Sequence, residues 1–311
     1  MSSLKDHLLQ WFPILNDAHR LLHSAGNRLK DCGTVLRKGF DHIKFDILWE
    51  AQIQRFARHT NRFPLQKPVI HLYTVCWNEE RIAPYFMDYY RQFVDAFYIY
   101  DNMSSDSTVE RLSRYKNVTV IPFDTKETFD EASLLQIRNN AWKQSRGIAD
   151  FVIVCDMDEF LYHPELMSLL YLLKRHSFTL VKPSGYNMIS EHLPESDGVQ
   201  TITQLIKTGI DAQKNYSKSI LFSPILEEIN FSPGSHKCAP VGQVKQFQSS
   251  QLKLLHYKFV DRELILQKTR ECQARLSETN RQHGWSRHYI QTDEQVKINF
   301  DLFMSARKKV I

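Results

Sequence analysis

The amino-acid sequence predicts an α/β fold: a mainly parallel central sheet with flanking helices, an N-terminal helical extension and further helices at the C-terminal end. Three observations point there. Segments of strand character and segments of helical character alternate from residue 69 to residue 182, the pattern of successive βαβ units. The strand segments, with Phe151 to Cys155 (FVIVC) the clearest, are short, β-branched and apolar throughout, as strands covered on both faces must be. Each early strand then runs out into polar residues: Trp77-Asn78-Glu79-Glu80, Asp101-Asn102 and Asp156-Met157-Asp158-Glu159. In open parallel sheets ligands bind beyond the carboxyl ends of the strands, so these polar ends mark where a site is expected.

Residues 1–64 read as the helical extension. Leu8, Trp11, Phe12, Leu15, Leu22 and Leu29 recur at helical spacing, as do Phe45, Leu48, Ile53 and Phe56, with a break near Asp31-Cys32-Gly33. His19, Arg20, His23, Arg28, Lys30, Arg37 and Lys38 make it basic, which suits either a cap packed on the main domain or an arm that docks on a partner or membrane. Pro64 and Pro68 close it, because proline stops helix and biases the preceding residue toward extended chain.

A domain over residues 65–260 follows. Strands are expected at 69–76, 96–100, 118–123, 151–155 and 178–182, and helices at 84–93, 107–115, 131–146 and 164–175. Tyr85, Phe86, Tyr89, Tyr90 and Phe93 give the first helix an aromatic stripe, read as core. Ser107-Thr-Val-Glu110 has the form of a capping box, and Pro164 stands at the first position of its helix. Between 186 and 259 the pattern loosens, with short strand-like runs at 220–222 and 252–255 among loops. Residues 261–311 read as two helices, with Gln267, Lys268, Arg270, Glu271 and Arg275 on a polar face.

The chain has 311 residues and 42% hydrophobic content, enough for one large core, which excludes a disordered or fibrous protein. Its net charge of +5 comes from scattered basic residues without an aromatic–basic platform, so nucleic acid is not an expected partner. The five cysteines (Cys32, Cys76, Cys155, Cys238 and Cys272) form no C-x-x-C pair, which argues against a zinc finger or a thioredoxin-like site. Cys76 and Cys155 fall in apolar runs and read as small buried hydrophobes, as a reducing compartment would allow. No apolar stretch is long enough to span a bilayer, and Asp6 and Asn16 interrupt what would be the core of a signal peptide. The expected location is cytoplasmic, with peripheral attachment at the inner face of the membrane left open.

The most informative stretch is Asp156-Met157-Asp158-Glu159 at the end of the FVIVC strand. A bare D-x-D arises about once by chance in a chain of this length. Its placement is what matters: carboxylates leaving a buried strand must be solvated, paired or bound to metal. A hard cation such as Mg²⁺ or Mn²⁺ takes one or two carboxylates and fills its remaining positions with phosphate oxygens and water. The bland alternative is that the two acids cap the next turn. At the second strand end, Asp101-Asn102-Met-Ser104-Ser-Asp106 offers Asp101 to a base or ribose, while Asp106 reads first as a helix cap and only second as a ligand.

Four segments together carry a resemblance: Cys76-Trp-Asn-Glu-Glu80, Tyr100-Asp-Asn-Met-Ser-Ser-Asp106, Cys155-Asp-Met-Asp-Glu-Phe160 and Leu255-His-Tyr257. In order and spacing they resemble the family 2-like and family 92-like glycosyltransferases of GT-A fold, from about residue 69 to residue 268. The resemblance implies a metal-dependent, inverting transfer of sugar from a nucleotide-diphosphate sugar, a UDP- or GDP-sugar, to a glycan or glycolipid acceptor, by analogy one of the cell surface. It places the nucleoside against residues 74–79 (Thr74, Cys76, Asn78 and Glu79) and Asp101, with Arg138 near the nucleotide. Asp156, Met157 and Asp158 would lie against the ribose and metal, with Asp158 the direct ligand to Mn²⁺ or Mg²⁺ and His256 completing the site. His236, in the Ser232-Pro-Gly-Ser-His236-Lys237 loop, would contact phosphate or acceptor, and Lys218 and Lys237 would neutralise the leaving diphosphate. The acceptor hydroxyl needs a base, for which Glu191 is the candidate and Glu195, Asp197 and Asp211 are rivals. Here the sequence departs from the family 92 pattern, which carries a Trp and a Phe-Gly near this position.

Two other classes remain in view. A nucleotidyltransferase would also use a strand-borne Asp pair with Mg²⁺, but the first strand leads into Cys76-Trp-Asn-Glu-Glu80, with no glycine-rich phosphate loop. A non-catalytic scaffold would act through the helical arm, which the intact acids and His256 argue against.

Overall fold

The computed structural model describes residues 34–59, 66–126, 128–196, 198–212 and 216–311. The helices expected before residue 34, the proline at residue 64 with the boundary it marks, and Asp197 lie outside the described residues. The chain divides into two compact units, Met1–Gln52 and Ile53–Ile311. In the first, helix α1 (Thr34–His59) begins, and the rings of Phe45 and Trp49 tilt against each other 5.8 Å apart. The apolar spacing seen in the sequence is only half used: Phe45 and Leu48 are exposed, while Ile53 and Phe56, in the second unit, are buried.

The second unit holds two sheets. In the seven-stranded sheet four of the predicted parallel strands form one side, out to an edge. Strand β1 (Ile70–Cys76) lies between β2 (Ala96–Asp101) and β4 (Phe151–Val154), with β3 (Val118–Pro122) outside β2, all parallel. The short strands β6 (Leu180–Val181), β9 (Leu221–Phe222) and β10 (Gln246–Phe247) extend the sheet beyond β4, with β9 antiparallel to both β4 and β6.

The five-stranded sheet was not expected. It comprises β5 (Glu159–Tyr162), β7 (Ser184–Ser190), β8 (Thr208–Asp211), β11 (Lys253–Val260) and β12 (Lys308–Lys309), in the order β12-β8-β7-β11-β5. Most of it falls where the sequence pattern loosens. Strand β11 runs parallel to β7 and antiparallel to β5, so it stands between them. The chain passes from one sheet to the other through Asp156-Met157-Asp158, between the end of β4 and the start of β5.

Helix α2 (Ala83–Tyr90) buries its aromatic stripe as expected. The Tyr90 hydroxyl donates to the Glu159 carbonyl at 2.9 Å and accepts from the Leu161 amide at 3.0 Å, which ties that core to β5. Three local expectations are corrected. Helix α3 (Thr108–Leu112) has no side-chain cap at Ser107; the Asp106 carboxylate accepts from the Thr108 amide instead. The helix expected over 131–146 is α4 (Glu131–Asn140), followed by a tighter 3₁₀ turn at Ala141–Ser145 that seats Trp142 in the core. Pro164 precedes rather than opens helix α5 (Leu166–Arg175). Beyond the single-turn α6 (Ile202–Leu205), the C-terminal segment forms three helices rather than two: α7 (Arg262–Arg275), α8 (Glu278–His283) and α9 (Asp293–Ala306). Gly284, left-handed at φ 65°, ends α8. Among the described residues no helix is long and apolar enough to cross a membrane.

Candidate active site

The ends of β1 and β2 are laced together by the polar residues that follow them. Asn78, held at φ 50°, receives the Ser105 amide on its side-chain oxygen at 2.8 Å. The Glu79 amide donates to Thr108 Oγ1 at 2.7 Å, and the Glu80 amide to Asp106 Oδ2 at 3.1 Å. Asp101 is buried; its carboxylate accepts from the Ser104 amide at 3.0 Å and from the Cys76 thiol. Much of this polar sequence is thus consumed in satisfying backbone groups that leave the sheet without partners.

The turn between the sheets is different, because its acids face cations. Asp156 Oδ1 lies 2.7 Å from Arg138 and Oδ2 lies 3.3 Å from Lys218. Burial alone would raise the Asp156 carboxyl, but Arg138 and then Lys218 outweigh it and hold the group well below the usual carboxylate range. Lys218 also meets Glu159 Oε1 at 2.6 Å, with both side chains almost wholly buried. Burial would lower the lysine, but Glu159 and Asp156 hold it charged; for Glu159 itself, burial outweighs the lysine and the carboxyl moves up. Arg138 reaches on to Glu131 at 3.0 Å, and the Gly234 amide donates to the same Glu131 oxygen at 2.6 Å. The network therefore runs from the loop bearing Gly234 to the core of the second sheet.

Asp158 pairs with His256. Strand β11 puts His256 in register with Asn187 of β7 on one side and Glu159 of β5 on the other. Its Nε2 lies 3.1 Å from Asp158 Oδ2, its Nδ1 lies 3.0 Å from the Asn187 side-chain oxygen, and the Tyr216 ring tilts over it at 4.6 Å. Burial would raise the Asp158 carboxyl, and His256 more than cancels that. Asp156 and Asp158 keep 31% and 30% of their side chains exposed, enough for a ligand to reach both.

What they face is a cavity of about 560 Å³ at the carboxyl ends of the strands. Of the residues expected in a site, Cys76, Asn78, Glu79, Arg138, Asp156, Met157, Asp158, Lys218, His236 and His256 line it. Thr74, Asp101, Lys237, Glu191, Glu195 and Asp211 do not. Thr74 and Asp101 are turned into the protein, and Glu191 and Glu195 are exposed beyond the end of β7. The cavity also takes in Glu131, Tyr216 and Lys258, along with Trp285, His288 and Tyr289, which the sequence did not single out for a site. Among the described residues no three His, Cys, Asp or Glu side chains gather as a ready-made metal cluster.

The C-terminal helices complete the wall. Lys268 of α7 donates to Glu79 Oε1 at 2.6 Å and to the Trp77 carbonyl at 3.0 Å, and the Arg275 guanidinium lies over the Trp77 ring at 3.6 Å. Asn280 of α8 accepts from the Glu131 amide at 3.0 Å and donates to the Phe129 carbonyl at 2.9 Å. The C-terminal helices thus hold both the first strand loop and the start of α4.

Comparison with known proteins adds the following. The profile described as Glycosyltransferase family 92 matches residues 76–308. No curated protein matches the chain. Among solved structures, S. aureus TarS residues 1–349 in complex with UDP aligns at a TM-score of 0.39 and 15% identity, covering 71% of this chain and 73% of that one. S. aureus TarS 1–349 on its own aligns at a TM-score of 0.37 and 12% identity, over 75% of this chain and 78% of that one.

Proposed function

The chain belongs to glycosyltransferase family 92, with the GT-A-like fold, and on that premise we propose that it is a metal-dependent, inverting enzyme that moves a sugar from a UDP- or GDP-sugar to a hydroxyl of a cell-surface glycan or glycolipid. The observation that carries the reading is the Asp158–His256 pair at the cavity wall, flanked by the cations of Lys218 and Arg138.

A divalent cation fits this pair. One carboxylate suffices for Mn²⁺ or Mg²⁺ when diphosphate oxygens and water fill the other positions, and the His256 imidazole would add a nitrogen donor. Asp156 fits less directly, since each of its oxygens already faces a cation, and its role is to anchor Arg138 and Lys218 beside the diphosphate. The chemistry an ion supplies there is neutralisation of charge on the leaving diphosphate. The protein's own share is electrostatic. As the bond between sugar and diphosphate breaks through an oxocarbenium-like state, negative charge gathers on the leaving group. Lys218, fixed by Glu159 and kept charged, and Arg138, fixed by Glu131, wait at that position without reorganisation. Glu191 stands outside the cavity wall, so deprotonation of the acceptor is not assigned to it.

The test is donor hydrolysis. Release of UDP or GDP from the matching nucleotide-sugar should require Mn²⁺ or Mg²⁺ and should disappear in Asp158→Ala while the protein stays folded. Release that persists undiminished in chelator, or in Asp158→Ala, would refute the metal-dependent reading.

A further inference from the structure

We propose that Asn187 is a positioning residue that decides whether His256 presents a lone pair or a proton to Asp158. The inference rests on the metal reading above and extends it to a side chain that does not line the cavity.

Asn187 lies on β7, directly opposite His256 in the parallel pairing of β7 with β11, and both side chains are buried. The Asn187 side-chain oxygen faces His256 Nδ1 at 3.0 Å. A carbonyl oxygen only accepts, so in this orientation the ring proton sits on Nδ1 and the lone pair of the neutral imidazole is on Nε2. That lone pair points at a carboxylate oxygen 3.1 Å away, an arrangement that is repulsive unless a cation or a second proton lies between them. Turned end for end, the amide would donate to Nδ1, move the ring proton to Nε2 and close the pair by a direct hydrogen bond to Asp158. The two amide orientations are therefore a receptive and a closed form of the same site.

The surroundings hold the ring in place. Tyr216 covers one face of His256. The backbone beside it passes so near β7 that a Cβ on Gly185 would stand 2.3 Å from the Tyr216 carbonyl carbon, so only glycine permits the approach. With ring rotation restrained, the remaining freedom is the position of one proton, and Asn187 sets it.

Two measurements test this. NMR of the His256 imidazole nitrogens in metal-free protein at alkaline pH should show the proton on Nδ1; a proton on Nε2 overturns the proposal. Manganese affinity measured by calorimetry with UDP present and no sugar donor should fall about 10- to 100-fold in Asn187→Leu, the usual effect of losing such a partner. In Asn187→Asp, whose carboxylate can only accept, it should stay within a few-fold of the parent. An Asn187→Leu protein that folds and binds manganese like the parent overturns the proposal, as does an Asn187→Asp protein that loses it. Should Asn187→Leu fail to fold, the tautomer and the Asp variant still decide. A parent protein that binds no manganese sinks the metal reading and this inference together, whereas the other adverse results sink the inference alone.

Discussion

Replacing Lys218 by methionine should be among the most damaging single changes to the stability of this protein. The lysine is 4% exposed, and it stands 2.6 Å from Glu159 Oε1, itself 1% exposed, and 3.3 Å from Asp156 Oδ2. At an effective dielectric constant of about 20, unit charges roughly 3 Å apart attract by about 5 kcal/mol, which is what offsets the desolvation of the pair. Methionine fills much of the same volume but leaves Glu159 as a buried, uncompensated carboxylate, and breaking a buried pair in this way costs about 3–5 kcal/mol. For a domain of this size that is a fall in Tm of roughly 6–20 °C, since each kcal/mol shifts Tm by about 2–4 °C. Thermal and denaturant unfolding would measure it, with near-UV circular dichroism to confirm a native fold. Asp156 retains Arg138, so the second-site change Glu159→Gln should restore most of the loss by removing the orphaned charge. The reasoning fails if Lys218→Met shifts Tm by less than a degree or two, or if the double variant is no more stable than the single.

Two further outcomes follow from the same geometry. Burial outweighs Lys268 and pushes the Glu79 carboxyl up to about 7 from its ordinary value of 4.5. The folded protein then keeps a proton that the unfolded chain releases, so this contribution to stability is fully present below about 4.5 and is lost as pH rises through about 7. Glu79→Gln should flatten the fall in Tm across that window, and parallel curves for parent and variant would contradict the assignment. Gly234 sits at φ 68°, and a Cβ there would stand 2.7 Å from His236 Nε2, so Gly234→Ala should cost about 1–2 kcal/mol and displace His236 from the cavity wall. Thermal unfolding checks the first effect, and an unchanged Tm would count against it.

The parallel side of the large sheet was legible because burial on both faces writes itself into sequence as apolar, β-branched runs, of which β1 and β4 are the plainest. The smaller sheet was not. Strand β7 carries Gly185 and Asn187 in Ser-Gly-Tyr-Asn-Met-Ile-Ser and reads as loop, yet the glycine is there for close backbone approach and the asparagine for His256. Strand β5 begins at Glu159, an acid directly after two others, and its partner Lys218 comes from a distant segment that no local pattern announces. Glu191 reads as a base from its position downstream of the acid pair, but the chain has left the sheet by then and the residue is exposed. Lys268 reads as one charge on a polar helix face; only the fold reveals that this face closes on Glu79.

The three acidic strand ends look alike in sequence because two different needs select the same residue type. A strand that leaves a sheet exposes backbone amides, and a carboxylate in the next turn satisfies them, as Asp101 does for Ser104 and Asp106 does for Glu80 and Thr108. Other carboxylates hold cations in place at the cavity wall, as Asp156 and Glu131 do for Arg138 and as Asp156 and Glu159 do for Lys218. What separates the two uses is the origin of the partner. At these strand ends an acid that meets amides of its own turn or the adjoining loop, and no basic side chain, stays within the bonding of the fold, whereas an acid that meets basic side chains delivered by other elements, such as α4 or β11, faces the cavity. Asp101, which accepts from the Ser104 amide of its own turn and the Cys76 thiol of the adjoining strand, falls in the first group, and Asp158, whose partner His256 arrives on β11, falls in the second.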